Sequence, residues 1–482
     1  MDENTDIELN PVPTGHLINN LVTSFLWSQM QVMVKDRKTG KPKSILSEGT
    51  GIVQAGEMLA IMGPSGSGKT TLLNALAHRV AAAGAETTGQ IMANGQKANM
   101  HMIRDLSAYV EQEDALIGSI TVKETMMFAA RLALPRQGTW FPFSGESFGL
   151  QEQAHAIVGT PIKKGLSGGQ KKRLGVASRL ITNPKILFLD EPTSGLDSAL
   201  SVELIVISSI HQPSTVTYQL FDKLALSSMG ETCYFGPLND ATEYFHRLGY
   251  HIPPATNPAE YFLDLINIDL DKNGEVRERT RHIIEAWKNS QERNELDGEI
   301  EKAATASSET DLAKLKLPKL SPWMVPLTLL HRSWIKAYRD VVAYEIRVIM
   351  YLGLAILMGT VFLRLKTSQE YIQPFINAIF FGGAFMSFMA VAYVPAFLED
   401  LHTFQRERAN GLVGPLAFIV SNFLIGLPFL FLITVIFSVV EYWLSNFRAE
   451  GTAFMRWVLW LFLDLSGRVS CRVGLKPLPY CC

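Results

Sequence analysis

A glycine-rich segment near the N-terminus has the residue types and spacing of a phosphate-binding loop. It follows a short apolar stretch, Glu57–Met62, and leads into a helical pattern over Leu72–Val80. The residues of the segment are Gly63, Pro64, Ser65, Gly66, Ser67, Gly68, Lys69, Thr70 and Thr71. Glycines let backbone N–H groups close around phosphates at a helix N-terminus. We expect Lys69 to reach the β- and γ-phosphates of a nucleotide and the Thr70 hydroxyl to ligate Mg²⁺.

Two acidic residues follow a buried strand pattern further along the chain. Ile186–Leu189 is a continuous apolar run that predicts a parallel strand, and Asp190 and Glu191 come directly after it. A carboxylate at this position can hold Mg²⁺ through water, and a second one can act as general base on a hydrolytic water. We assign the first role to Asp190 and the second to Glu191.

Further polar residues complete this constellation. Gln112 closes a predicted strand and is a candidate for contact with Mg²⁺ and the attacking water. His211 follows a predicted strand over Val206–Ile210 and is expected beside the γ-phosphate. A second helix N-terminus suited to phosphate is predicted at Ser167, Gly168, Gly169 and Gln170.

In this order, the motifs resemble those of ABC ATPases, and more narrowly those of the G-type (ABCG) half-transporters, with phrasing similar to fungal members. The resemblance extends to about Trp460 and includes the run Ile181–Asp197. It implies that ATP lies between two nucleotide domains, where the Gly63–Thr71 loop of one faces the Ser167–Gln170 segment of the other. Asp197 is assigned to the same site. Because one chain carries one set of motifs, a homodimer or a heterodimer with another half-transporter of this type is implied.

The predicted fold is an α/β P-loop nucleotide-binding domain, the ABC ATPase, followed by an α-helical transmembrane domain. We place the ATPase domain at residues 1–266, a solvated charged linker at 267–320, a partial transmembrane domain at 321–465 and an atypical polar tail at 466–482. The N-terminus has no secretory leader pattern, which predicts that the ATPase domain lies in the cytoplasm. A multi-pass protein of the plasma membrane is expected.

The membrane half begins with an amphipathic, basic stretch, Trp323–Asp340, that suits an interfacial helix. Three apolar spans are predicted at Val348–Leu363, Phe375–Phe397 and Pro415–Trp443, and a fourth run ends too early, at Asp464. The polar segment Glu399–Arg408 is expected to touch the ATPase domain. No charged residue inside the spans marks a substrate pathway.

Composition narrows the function further. The net charge is −2 and no domain carries a basic stripe, which argues against a nucleic-acid partner. The four cysteines show no metal-binding spacing. The resemblance implies ATP-driven export of lipid or amphipathic molecules across a lipid bilayer, with ATP and Mg²⁺ as the ligands of the ATPase domain.

Two departures from the family pattern leave an alternative open. Residues 134–147 are broken by Pro and Gly where a helical subdomain is expected, and only 14 positions separate Asp197 from His211, which is short for a parallel crossover. A truncated subunit that binds ATP or regulates a full partner without transporting is therefore the second hypothesis. A soluble ABC ATPase that acts on DNA is disfavoured by the apolar residues 344–443.

Overall fold

The structure, a computed structural model, describes residues 19, 21–35, 40–79, 84–112, 116–134, 148–160, 163–192, 204–254, 256–268, 274–305, 323–339, 345–389 and 394–474. Its strands are β1 Ser24–Lys35, β2 Pro42–Gln54, β3 Met58–Met62, β4 Glu86–Ala93, β5 Gln96–Lys97, β6 Ser107–Val110, β7 Ile186–Asp190, β8 Ile205–Ser209, β9 Lys223–Ser228 and β10 Glu231–Pro237. The helices of the first half are α1 Lys69–Leu76, α2 Met100–Leu106, α3 Val122–Ala133, α4 Gly168–Leu180, α5 Thr215–Tyr218, α6 Leu238–Arg247, α7 Pro258–Ile266, α8 Glu275–Lys288 and α9 Gln291–Thr305. Those of the second half are α10 Met324–Arg339, α11 Glu345–Val361, α12 Ile372–Met389, α13 Val394–Ala409, α14 Pro415–Leu444 and α15 Gly451–Gly474.

Two sheets form the ATPase domain. The main sheet has the strand order β10-β9-β3-β8-β7-β6, in which β9, β3, β8, β7 and β6 run parallel and β10 is antiparallel to β9. The smaller sheet is antiparallel, in the order β2-β1-β4-β5. Because parallel strands place their carboxyl ends along one edge, the segments after β3, β8, β7 and β6 come together there.

The apolar runs of the sequence form the centre of this domain. Every residue of β7 and β8 is buried, as expected for strands covered on both faces. Phe25 and Trp27 of β1 and Phe188 of β7 lie in the same core, so both sheets share one hydrophobic interior. This shared core fixes the strands whose ends carry the polar motifs.

The predicted linker at 267–320 contains two helices with buried faces. Ile283, Ile284 and Trp287 of α8 and Leu296 and Ile300 of α9 belong to the ATPase core. Their spacing repeats every three or four residues, which is one side of a helix. The charged residues between them occupy the opposite side, and this is why the composition alone suggested a solvated segment.

The second half is helical, with two helices long and apolar enough to cross a membrane, Gln369–Met389 and Pro415–Leu444, among the described residues. The first predicted span corresponds to a shorter apolar helix, Ile346–Val361. The second predicted span, Phe375–Phe397, covers most of α12, which is described as far as Met389, and the start of α13, described from Val394. Residues 390–393 lie outside the described residues.

The fourth apolar run ends at Asp464, but the helix that contains it is longer. Helix α15 continues to Gly474, so the first part of the segment predicted as an aperiodic tail is helical. The Asp464 carboxylate accepts a hydrogen bond from the Ser387 hydroxyl of α12. This carboxylate thus has a partner on the neighbouring helix.

A charged residue does lie inside a predicted span, contrary to the interpretation that none marks the interior. Glu441 of α14 is fully buried, and its carboxylate oxygens accept no hydrogen bond from the described residues. It faces Gly382 of α12, where an added Cβ would lie 2.5 Å from Glu441 Oε1. The close approach of α12 to α14 at this glycine encloses the carboxyl group.

Candidate nucleotide site

The predicted site residues meet at the carboxyl edge of the main sheet. Gly63 follows β3, Ile210 and His211 follow β8, Glu191 follows β7, and Gln112 lies two residues beyond β6. Strand β8 lies between β3 and β7, with Ser209 paired to Ile61 on one side and to Asp190 on the other. Segments far apart in sequence therefore become neighbours at the edge where open α/β sheets bind ligands.

The phosphate-binding loop connects β3 to α1. Gly66 and Gly68 adopt positive φ angles of 74° and 97°, which glycine adopts without steric cost. Lys69 is buried, and its Nζ donates hydrogen bonds to the carbonyl oxygens of Gly63 (2.8 Å) and Pro64 (3.0 Å). The charged end of Lys69 thus lies inside the curve of the loop, where it can meet an anion.

Electrostatics at Lys69 favour a negatively charged ligand. Burial lowers the pKa of Lys69, whereas the nearby charges of Glu191 and Asp190 oppose that shift. A phosphate beside the ammonium group would add to the opposing effect and stabilise the charged form. The Ser67 hydroxyl of the same loop is buried and has no hydrogen-bond partner among the described residues. Both observations fit a loop that takes up a nucleotide phosphate.

Asp190 is the most heavily hydrogen-bonded carboxylate of the edge. Its Oδ1 accepts hydrogen bonds from Thr70 Oγ1 (3.1 Å) and Ser209 Oγ (2.6 Å), and its Oδ2 accepts one from Tyr109 OH (3.4 Å). Burial, with the Asp190 charge second, raises the pKa of Tyr109, so the phenol remains a donor at neutral pH. These partners hold the carboxylate in one orientation.

Sequence reasoning assigned no role to Ser209 or Tyr109. Ser209 ends the apolar strand β8 with a buried hydroxyl, and its Oγ also accepts a hydrogen bond from Glu191 N (3.0 Å). Two serines, Ser208 and Ser209, at the end of a strand that begins with three apolar residues were the available signal. Tyr109 gave no such signal, because a tyrosine in a strand is an ordinary core residue.

Glu191 adopts an unusual backbone conformation. Its φ is +48°, a left-handed conformation that is uncommon for residues other than glycine and often occurs at functional sites. The carbonyl and hydroxyl oxygens of Ser209 both accept from Glu191 N and hold this turn. The side chain accepts a hydrogen bond of 2.5 Å from Gln112 Nε2. Glu191 is half-buried and its carboxylate can take a proton from a water molecule at the mouth of the loop.

The other predicted residues lie around this centre. His211 is exposed at the end of β8, one residue after Ile210, whose N–H donates to Ile61 O. Ser167 caps α4, where it and Gln170 form a reciprocal capping box, and the exposed Gly168 begins the helix. Backbone N–H groups of this first turn are available to an anion. Asp197 lies outside the described residues.

Oxygen atoms for a magnesium ion are present at one place. Thr70 Oγ1 and Asp190 Oδ1 are 3.1 Å apart, and Gln112 reaches the adjacent Glu191. Hydroxyl, carboxylate and amide oxygens together with nucleotide phosphates are the ligand types that Mg²⁺ takes. When bound, the ion would neutralise charge on the phosphates. Thr70, Asp190 and Gln112 are the residues that would hold it, and Lys69 would balance the remaining negative charge.

Helices α10 and α13 connect this domain to the apolar helices. Arg332 of α10 forms a bidentate pair with Glu407 of α13, and Lys336 contacts Glu399 (3.0 Å) and Asp400 (2.7 Å). Arg339 of α10 pairs with Glu124 of α3 in the ATPase domain. The basic side chains of the predicted interfacial helix therefore bind protein carboxylates.

The polar segment Glu399–Arg408 belongs to α13, and its predicted contact with the ATPase domain is confirmed. Arg406 Nε lies 2.6 Å from Glu111 Oε2, in the segment that follows β6. Asn410, the residue after α13, accepts a hydrogen bond of 2.8 Å from Arg79. The candidate nucleotide site is thus joined by direct contacts to the helical half.

Comparisons with known proteins agree with this arrangement. Residues 46–194 match the ABC transporter family, and residues 211–317 and 327–474 match two families described as ABC-2 type transporter. The chain is 34% identical to ABC transporter G family member 11 of Arabidopsis thaliana, over 93% of this chain and 69% of that protein. Identity to ABC transporter G family member 1 of Petunia hybrida is 34%, over 90% of this chain and 72% of that protein. Identity to Protein white of Drosophila melanogaster is 31%, over 84% of this chain and 62% of that protein.

These matches cover both halves of the chain in the order that the fold shows. An ATPase domain with a P-loop precedes an ABC-2 membrane domain, as the sequence predicted. Family membership brings with it ATP binding and an ATPase activity that is coupled to transport. The chain belongs to the G family of ABC transporters, as a half-transporter.

Proposed function

We propose that this half-transporter exports lipid or amphipathic molecules across the plasma membrane, driven by ATP hydrolysis in a homodimer or heterodimer with another G-type half-transporter. The observation that carries the substrate class is a groove of about 510 Å³ between α12 and α15. Phe380 and Trp460 line its apolar part, and Asp464 supplies a single carboxylate. A surface of this kind suits a molecule with a long apolar body and one polar group.

In the proposed reaction, ATP binds between two ATPase domains. The Gly63–Thr71 loop and Lys69 hold its phosphates, and the first turn of α4 in the other subunit closes over them. Thr70, Gln112 and Asp190 hold Mg²⁺, and Glu191 accepts a proton from the attacking water. His211 and Asp197 complete the site beside the γ-phosphate. The two ATPase domains lie in the cytoplasm.

Support for the coupling comes from the contact between α13 and the segment after β6. Arg406 and Asn410 meet Glu111 and Arg79 next to Gln112. Since Gln112 bonds to Glu191, a shift at the catalytic carboxylate is transmitted over a few residues to α13.

Large apolar side chains on α11, α12 and α14, such as Ile349, Phe380 and Phe431, are exposed and suit contact with lipid tails.

Transport can be tested with the full chain in phosphatidylcholine vesicles that contain a fluorescent phospholipid. We expect ATP to move the probe between leaflets, with vanadate and Glu191→Gln each abolishing the movement while ATP still binds. Phospholipid and amphipathic cation probes should both be examined. ATP hydrolysis without movement of any such probe would reject the proposed substrate class, and ATP binding without hydrolysis would favour the non-transporting subunit.

A further inference from the structure

A second row of contacts joins Asp190 to the end of α13 without passing through Gln112. Its first member is Tyr109, which ends in a hydroxyl 3.4 Å from Asp190 Oδ2. The backbone N–H of Tyr109 donates to Asn410 Oδ1 at 3.3 Å. One residue of β6 therefore touches both the carboxylate of the candidate metal site and the residue that follows α13.

Arg79 reinforces this connection. Its guanidinium lies 4.0 Å from the centre of the Tyr109 ring, and it donates to Glu111 (2.7 Å) and to Asn410 Oδ1 (2.8 Å). Glu111 in turn pairs with Arg406 of α13. A cation over an aromatic face and a hydrogen-bonded ion pair both restrict the position of the ring that they contact.

The contacts of Tyr109 and Arg79 lie in the protein interior, where solvent screens electrostatic interactions only weakly. Tyr109 is 4% exposed, and the Arg79 side chain is 13% exposed. Burial lowers the pKa of Arg79, which the Glu111 carboxylate opposes, and arginine keeps its charge in proteins. Hydrogen bonds and charges away from water are weakly screened, so a displacement at one end changes the energy at the other.

We propose that Tyr109 and Arg79 are positioning residues that make the orientation of the Asp190 carboxylate depend on the position of α13. When Asn410 and Arg406 move with α13, the Tyr109 hydroxyl moves relative to Asp190, and the affinity of the site for Mg²⁺ changes. By linkage, Mg²⁺ bound with a nucleotide shifts the position of α13 in return. The inference rests on the proposed role of Asp190 in holding Mg²⁺.

The variant Tyr109→Phe removes the hydroxyl and leaves the ring under Arg79. The experiment measures binding of a fluorescent ATP analogue to the full chain in detergent, with Mg²⁺ varied and with chelator as reference. We expect the half-saturating Mg²⁺ concentration to rise about tenfold, the lower end for loss of a partner that orients a metal ligand. Nucleotide affinity in chelator should stay unchanged.

A matched control is Tyr234→Phe. The Tyr234 hydroxyl donates to Pro237 O at 2.8 Å in the same domain, away from Asp190. This variant removes a hydroxyl of similar burial and should leave the Mg²⁺ dependence as in the wild type. If Tyr109→Phe behaves like Tyr234→Phe, the Tyr109 hydroxyl does not position Asp190 and the inference is overturned.

A variant on the side of α13 tests the connection itself. Asn410→Ala removes the acceptor shared by Arg79 and the Tyr109 N–H, and we expect it to raise the required Mg²⁺ concentration several-fold. The double variant, Tyr109→Phe with Asn410→Ala, should need no more Mg²⁺ than the single variant with the larger effect, because both substitutions interrupt one path. Effects that multiply would show two independent sites and would overturn the inference. If the nucleotide affinity of the wild type does not depend on the Mg²⁺ concentration, the proposed role of Asp190 in holding Mg²⁺ is refuted instead.

Discussion

Buried acidic groups have partners in one region of the molecule and lack them in another. At the carboxyl edge of the main sheet Asp190 accepts three hydrogen bonds, and between α10 and α13 Arg332 is paired with the buried Glu407. In the apolar helices Glu441 is fully buried, and its carboxylate has no partner among the described residues. A paired group fixes one arrangement, whereas an unpaired one raises the energy of the arrangement in which it is buried.

Asp190 is held in one orientation by its hydrogen bonds, whereas no hydrogen bond from the described residues holds the Glu441 carboxylate. Without the Asp190 carboxylate, the buried hydroxyls of Ser209 and Tyr109 would lose their acceptor. Glu441 has no such bond to lose, and it lies where α12 comes close to α14 at Gly382. Substitutions that remove charge should therefore have opposite effects on stability in the two regions.

The largest effect is expected at the buried pair between α10 and α13. Arg332→Met leaves the Glu407 carboxylate, whose side chain is 10% exposed, without its partner. Breaking such a pair lowers the free energy of unfolding by about 3–5 kcal/mol. Denaturant unfolding of the purified protein in detergent measures this loss.

Two further variants make that measurement interpretable. Arg448→Met breaks the pair with Glu450, in which Arg448 is 81% exposed, and should change stability by less than about 1 kcal/mol. Arg332→Met combined with Glu407→Leu removes both charges and should recover most of the loss. A double variant as unstable as the single one would mean that packing, and not the unpaired charge, causes the effect.

At the carboxyl edge of the main sheet, Asp190→Asn should impair both activity and stability. An amide cannot accept from Thr70, Ser209 and Tyr109 in the same way, so at least one donor becomes unsatisfied. We expect ATPase activity to fall about 10–100-fold, the range for groups that act on a metal through an intervening partner. Asp222→Asn is the control, since Asp222 bonds to Met58 N at the opposite end of β3. Equal activity in both variants would contradict the role of Asp190.

The residues at the carboxyl edge of the main sheet differ in how far the sequence predicts them. Gly63–Thr71 and the pair Asp190 and Glu191 follow from short motifs, because a loop between a strand and a helix is determined by its own residues. Ser209 and Tyr109 reach Asp190 only through the register of β6, β7 and β8. That register depends on contacts between distant segments, which local patterns do not contain.

The helical half shows the same limit. Hydropathy predicted the long helix α14, but the direction of Glu441 depends on how that helix is rotated against α12. The partner of Asp464 in α15 is Ser387, which is 77 residues away in sequence. Apolar composition indicates that a helix can enter a membrane, and it does not indicate which polar residues find partners there.

A substitution at Glu441 has the opposite expected sign. Glu441→Leu replaces a buried polar group that has no described partner with an apolar side chain, and should raise the free energy of unfolding by about 1–3 kcal/mol. Glu450→Leu, at an exposed position, is the control and should change stability by less than about 1 kcal/mol. Denaturant unfolding in detergent distinguishes the outcomes. A loss of stability in Glu441→Leu would show that the carboxylate has a partner in the assembled protein.

The smallest effect is expected where the two regions meet, at the partly exposed pair of Glu124 and Arg339. Burial alone would raise the pKa of Glu124, but hydrogen bonds from Arg339 and Thr121 outweigh it and hold the pKa below 4.5. A lowered folded-state pKa means that the pair stabilises the fold above pH 4.5 and loses this contribution as the pH falls further. Since Arg339 is 38% exposed, solvent screening limits the contribution to about 0.2–1 kcal/mol.

Comparison of Glu124→Gln with the wild type across pH isolates this term. Glutamine preserves the capping box of α3, so helix formation is matched in the two proteins. We expect the wild type to be slightly more stable at pH 7 and the difference to vanish as the pH is lowered toward 4 and below. A difference that stays constant over this range would show that the contact of α3 with α10 depends on shape and not on charge. The contact between α3 and α10 would then be maintained by packing, as in the apolar helices, and not by its ion pair.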